Sequence, residues 1–137
     1  MVDEIDEKIL KLLEENSRMS YVEIGRNVDL SEGAVRNRVQ ALVSEGVIKR
    51  FTIEKSTVHG VRALTMIAVD PGTPTYEVSK RVKSLAGVER IYEVTGEYDI
   101  VMVSSGSSIE AINKVIEDVR KIEGVEKTNT IIVLRTL

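Results

Sequence analysis

The sequence predicts an α+β protein: a winged/helix-turn-helix three-helix domain followed by a ferredoxin-like βαββαβ sandwich. Three observations carry this expectation. Residues 1–50 place apolar side chains at helical spacing between N-cap residues. From residue 61 the pattern changes to β-rich runs separated by short amphipathic segments. The run Leu85-Ala86-Gly87-Val88-Glu89-Arg90 is echoed by Ile122-Glu123-Gly124-Val125-Glu126-Lys127, each closing a helix and opening a strand. Two copies of strand-helix-strand make βαββαβ, with helices on one face of a sheet. The division that follows is 1–50 for the helical domain, 51–60 for a connecting strand or hinge, and 61–137 for the sandwich.

In the helical part, Ile5, Ile9, Leu12 and Leu13 recur at helical spacing after Asp3, a plausible N-cap. Asn16-Ser17-Arg18-Met19 breaks that pattern. Ser20 with Glu23 is a capping-box pair, so a second helix starts there and runs to about Asn27. Asp29-Leu30-Ser31 is turn chemistry ending in a new N-cap, and the third helix runs to about Glu45, where Gly46 supplies the C′ residue. Val47–Ile53 has strand character and reads as a wing or connecting strand.

In the second part, Val61–Val69 is a strand, and Pro71-Gly72-Thr73-Pro74 turns into a helix carrying Val78, Val82 and Leu85 that ends by Gly87. Val88–Thr95 and Tyr98–Ser104 are two strands joined at Gly96-Glu97. Ser107 or Ser108 caps a helix with Ile109, Ile112, Val115, Ile116 and Val119 on one face, ended by Gly124, and Thr128–Leu134 is the last strand.

Composition narrows the function classes. With 42% apolar and 30% charged residues the chain belongs with globular proteins, and two such small domains gain stability by oligomerising. The absence of cysteine excludes disulfides and thiolate metal sites. The acidic, amphipathic start is wrong for a signal peptide, and no apolar run approaches the roughly 20 residues of a membrane span, so a cytoplasmic location is expected. Neither a metal nor a cofactor is called for. A net charge of −3 argues against indiscriminate attraction to nucleic acid but not against a local basic face. Residues 1–50 hold 8 Lys/Arg against 10 Asp/Glu, whereas 31–50 reverse the balance with Arg36, Arg38, Lys49 and Arg50 against Glu32 and Glu45.

Stepping 100° per residue along the third helix places Val35, Val39 and Leu42 on one stripe. Gly33, Arg36, Asn37, Gln40 and Ser44 fall opposite. Arg, Asn and Gln are the side chains that make paired hydrogen bonds to guanine and adenine edges, and Gly33 permits close backbone approach. Arg38 flanks the buried stripe and fits a phosphate contact or a salt bridge. Ser31 with the first-turn amides suits a phosphate. A polar face alone usually meets only water. The short capped helix, the tight turn and the charge reversal together favour contact with double-stranded DNA.

Asp6, Ile9-Leu10, Leu13, Asn16-Ser17-Arg18, Ile24, Val28-Asp29-Leu30-Ser31, Val35, Arg38-Val39, Leu42 and Gly46-Val47-Ile48 together resemble the N-terminal signature of the Lrp/AsnC (feast/famine) transcription regulators. The second half is similar to that family's effector domain, including Gly96-Glu97-Tyr98-Asp99 and Thr128-Asn129-Thr130. One departure is Asp29, where family members commonly carry Gly; Asp tolerates the left-handed conformation such a turn needs. The resemblance implies a sequence-specific DNA-binding regulator. It also implies dimers built through the connecting strand and the sheets, stacking into larger rings such as octamers. The apolar edges at Phe51-Thr52-Ile53 and Ile131–Leu134 agree with such pairing. It further implies a small effector, usually an amino acid, near the hairpin at a subunit interface. Residue by residue this points to Thr95, Gly96, Tyr98 and Asp99, facing Thr128 and Thr130. Without the resemblance, the same hairpin residues read as turn formers.

Two rivals share the pattern. An architectural protein would wrap DNA with little sequence preference, which the acidic total disfavours. An enzyme on the same fold, of the siroheme decarboxylase kind, would need groups to bind and protonate a tetrapyrrole, and the chain's single histidine is His59 in the connector. A lone connector histidine reads as a loop residue.

Overall fold

A computed structural model describes residues 1–56 and 60–137. The chain divides into two compact units, Met1–Lys55 and Ser56–Leu137.

The first unit holds α1 (Glu4–Glu15), α2 (Tyr21–Val28) and α3 (Glu32–Ser44). Each start is capped by an anticipated side chain. The Asp3 carboxylate accepts from the Asp6 N–H, with the Asp6 side chain accepting in return from the Asp3 N–H. Ser20 caps through the Glu23 N–H and Ser31 through the Ala34 N–H. The α2–α3 turn puts Asp29 in the left-handed region (φ 57°). The chain turns tightly enough that a Cβ on buried Gly25 would collide with the Leu30 carbonyl oxygen. Past α3, Gly46 (φ 75°) lets the Val47 N–H return to the Leu42 carbonyl at 2.9 Å and the Gly46 N–H to Val43 at 3.1 Å, the paired closure of a Schellman end. Ile9, Leu13, Ile24, Val35 and Val39 form the cluster these helices bury together.

Val47–Ile53 differs from expectation. It forms a bend at Val47 and Ile48 followed by irregular chain rather than a strand. Strand propensity is satisfied only by a ladder partner, and Phe51 and Ile53 stand exposed, so the segment has strand composition without a ladder partner among the described residues.

The second unit runs β1 (Val61–Val69), α4 (Thr75–Lys83), β2 (Val88–Glu93), β3 (Ile100–Gly106), α5 (Ile109–Arg120) and β4 (Val125–Ile132). The sheet order is β2-β3-β1-β4, antiparallel throughout, which is the ferredoxin-like arrangement. Alternation along β1 and β3 turns Ile67, Val69, Ile100 and Met102 to one face, where Val78 and Val82 of α4 and Val115 and Val119 of α5 cover them. The internal echo is physical. Leu85 N–H returns to Val82 and Val88 N–H to Leu85, and Ile122 N–H returns to Val119 and Val125 N–H to Ile122, so both helices leave through the same turn. Three strands differ in their limits from the expected ones: β2 ends at Glu93 rather than Thr95, β3 runs Ile100–Gly106 rather than Tyr98–Ser104, and β4 runs Val125–Ile132 rather than Thr128–Leu134. β3 begins at Ile100 because Tyr98-Asp99 close the hairpin, and β4 begins at Val125 because a register shift at Ala68/Val69 lets pairing reach that far. Among the described residues no helix is long and apolar enough to cross a membrane.

Candidate nucleic-acid interface and the β2–β3 hairpin

α3 carries the predicted two faces. Val35, Val39 and Leu42 are buried, while Gly33, Arg36, Asn37, Gln40 and Ser44 are exposed along the other side. Gly33 has nothing within 4 Å of where a Cβ would sit, so its missing side chain serves no packing role and leaves the backbone approachable. Ser31 commits its hydroxyl to the cap at 3.2 Å, presenting the first turn of the helix outward.

Both arginines of α3 are held by carboxylates. Arg38 donates through Nη1 to Asp3 Oδ2 at 2.7 Å and to Asp6 Oδ1 at 3.1 Å. The Arg38 hydrogen bond, followed by that of the Asp6 N–H, holds the Asp3 carboxyl below its ordinary value. Asp3 and then Asp6 raise the Arg38 guanidinium in return. Arg36 pairs with Glu32 one turn earlier and lies over the Tyr21 ring, 5.9 Å from its centroid. Sequence patterning marked Arg36 but not these two partners. The pairing with Glu32 was legible from the i, i+4 spacing; Tyr21 on a different helix was not.

The hairpin is tied inward. Asp99 accepts the Val69 N–H on Oδ2 at 2.7 Å, donates its own N–H to the Ile67 carbonyl and receives the Val94 N–H on its carbonyl. Its carboxylate therefore supports β1 where the register against β4 shifts. Thr95 and Gly96 (φ 115°) are exposed at the turn. Tyr98 is joined to β4 by Lys127, whose Nζ lies 5.2 Å from the ring centroid and 3.3 Å from Glu97 Oε1. Thr128 pairs with Ile67 across the sheet, and its hydroxyl accepts from Arg120 Nε at 3.3 Å. Thr130 bonds buried Thr65 at 3.0 Å. The hairpin and β4 thus meet through Lys127, a residue the sequence reading passed over, while the two threonine hydroxyls are engaged within the domain. His59 lies outside the described residues.

Residues 62–137 match a family model described as the Lrp/AsnC ligand binding domain, and residues 2–49 match one for winged helix-turn-helix DNA-binding. The chain belongs to the Lrp/AsnC family. It is a transcription regulator that joins a helix-turn-helix to a ligand-binding domain. It is 47% identical over 134 residues to the HTH-type transcriptional regulator LysM of Sulfurisphaera tokodaii, covering 98% of this chain and 96% of that one. The LysM of Saccharolobus solfataricus is 44% identical over 135 residues, covering 98% and 95%. Among solved structures, E. coli AsnC superposes with a TM-score of 0.79 at 26% identity, covering 99% of this chain and 94% of the other. The feast or famine regulatory protein of M. tuberculosis, complexed with L-methionine, gives 0.87 at 27%, again covering 99% and 94%.

Proposed function

We propose that this regulator recognises specific DNA sites by placing α3 in the major groove and that an amino acid bound near the β2–β3 hairpin modulates it. The observation that carries the DNA reading is the exposed row Arg36, Asn37, Gln40 set directly opposite the buried stripe of a short, well-capped helix. Gly33 and Ser31 border that row at the end facing the backbone, and Ser44 ends it. Arg38 contributes by fixing α3 to α1 or by touching a phosphate at its rim.

The effector reading rests on family membership and on the methionine complex of the M. tuberculosis relative. Asp99 offers charge to an α-ammonium and the Gly96 backbone can approach an α-carboxylate, with Thr95 and Tyr98 on the same hairpin; Thr128 and Thr130, which the reading adds from β4, lie level with Ile67 and Thr65 of β1. We place the protein in the cytoplasm as a homodimer with a higher assembly, residues 51–60 serving as the connector. Exposed Phe51 and Ile53 and the exposed Ile131 and Tyr92 of the sheet support association through those surfaces.

Footprinting on the DNA upstream of the protein's own gene, with a salt series and a scrambled duplex, tests the reading. Protection repeating at about one helical turn with preference over the scramble is the expected result. Equal binding to both duplexes would replace it with an architectural role.

A further inference from the structure

The geometry points to Tyr21 and Glu32 as positioning residues that hold Arg36 toward base edges and away from the phosphates. This rests on α3 being the reading helix. A long helical side chain leans back over the preceding turn, toward the helix N-terminus. For Arg36 that turn holds Glu32, and the two are paired. From the neighbouring helix Tyr21 presents its ring 5.9 Å from the guanidinium carbon, within cation–π reach. Tyr21 is the first residue of α2, half-buried and packed against the three-helix cluster, so the ring is an anchored platform rather than a second mobile side chain.

The chemistry of DNA gives this cradle a consequence. The densest negative charge an exposed arginine meets is phosphate, and a phosphate contact carries no sequence information. A carboxylate beside the guanidinium cancels part of its charge and repels an approaching phosphate. The O6 and N7 acceptors of guanine are neutral and suffer far less from that repulsion. Glu32 takes the Nη2 side. A guanidinium has five donors in one plane, so others remain to reach a base. Glu32 therefore favours base over backbone, and Tyr21 limits the directions in which the guanidinium can swing. The pair trades non-specific affinity for discrimination, which accords with an acidic chain that must still choose a site.

The test uses the full-length protein and fluorescence anisotropy on the footprinted duplex and its scramble, each across a salt series. Arg36→Ala sets the reference for a lost contact. Tyr21→Leu keeps apolar bulk but removes the ring, and should cut target-over-scramble preference roughly fivefold or more, the lower end of what a paired base contact is worth. Binding to the scramble should stay unchanged, and Tyr21→Phe should behave as wild type. Glu32→Gln should tighten binding to the scramble and steepen its log–log salt slope by about 0.9 for each arginine released to a phosphate. Wild-type preference in Tyr21→Leu, or an equal loss on both duplexes, would overturn the role of the ring. An unchanged salt slope in Glu32→Gln would overturn that of the carboxylate. If Arg36→Ala itself keeps full preference, the fault lies with the assignment of the reading helix, not with the cradle.

Discussion

Arg38, in the middle of α3, donates to the carboxylate of Asp3, the N-cap of α1, at 2.7 Å, and the same guanidinium nitrogen reaches Asp6 at 3.1 Å. Asp3 simultaneously caps its own helix through the Asp6 N–H at 2.8 Å. One carboxylate thus caps one helix and holds another, so the packing of α3 against α1 rests on charge as well as on the apolar cluster the helices share.

That relationship fixes a pH response. The Asp3 carboxyl is held below its ordinary 3.8, chiefly by Arg38, so it is ionised more readily folded than unfolded. Its contribution is present above about pH 4 and is lost as the pH falls through the lowered folded value. Asn is as good an N-cap as Asp but carries no charge, so Asp3→Asn isolates the ion pair from the cap. Urea midpoints measured from pH 6 to pH 2 should drop more for wild type than for Asp3→Asn. Parallel curves would show that the ion pair contributes nothing to the acid response.

The exposed row makes a second prediction. Arg36→Ala and Gln40→Ala should each relax base preference by about 1–3 kcal/mol at one position, as expected for a lost paired hydrogen bond. Arg38→Ala should instead weaken binding evenly across sequences or lower stability, because its guanidinium faces α1. Selection from a randomised duplex library reads both effects. A change of base preference with Arg38→Ala would contradict the helical phase assigned to α3.

Much of this was legible in the sequence because it is written in local chemistry. Ser20, Ser31 and Gly46 each mark a helix end through contacts within a few residues, and the stripe Val35, Val39, Leu42 follows from the 3.6-residue period alone. Contacts distant in sequence were not legible. Nothing local couples Tyr21 to Arg36, Lys127 to Tyr98, or the Asp99 carboxylate to the Val69 N–H, since each depends on how separate elements dock. Val47–Ile53 failed for a related reason. Its composition encodes a strand, but a strand needs a ladder partner, and none pairs with it among the described residues.

Gly25 makes a third prediction from such a docking contact. It is buried in α2, and an added Cβ would meet the Leu30 carbonyl oxygen, which is backbone and has little room to give. A helical glycine normally gains from replacement by alanine, by roughly 0.5–1 kcal/mol. Here the sign should reverse, with Gly25→Ala destabilising by about 1–3 kcal/mol, as overpacking does. Gly33→Ala is the control, being in a helix with open space around it. Thermal melts that rank Gly25→Ala at or above wild type would show that the α2–α3 turn can open without loss.

Asp99 separates the structural from the sensing role of the hairpin. Its Oδ2 accepts the Val69 N–H, so Asp99→Ala leaves that donor without its partner and should cost about 1–3 kcal/mol in stability, ligand or no ligand. Asp99→Asn keeps an oxygen acceptor for Val69 but removes the charge an α-ammonium would pair with. The two variants should therefore diverge. Asparagine should melt close to wild type yet lose the upward shift that an effector amino acid, methionine among those screened, gives at millimolar concentration. Alanine should lose both. An asparagine variant that still gains the full shift would leave Asp99 as a strut for β1 alone, and the ammonium would then have to be sought at Glu97, which already pairs with Lys127 of β4.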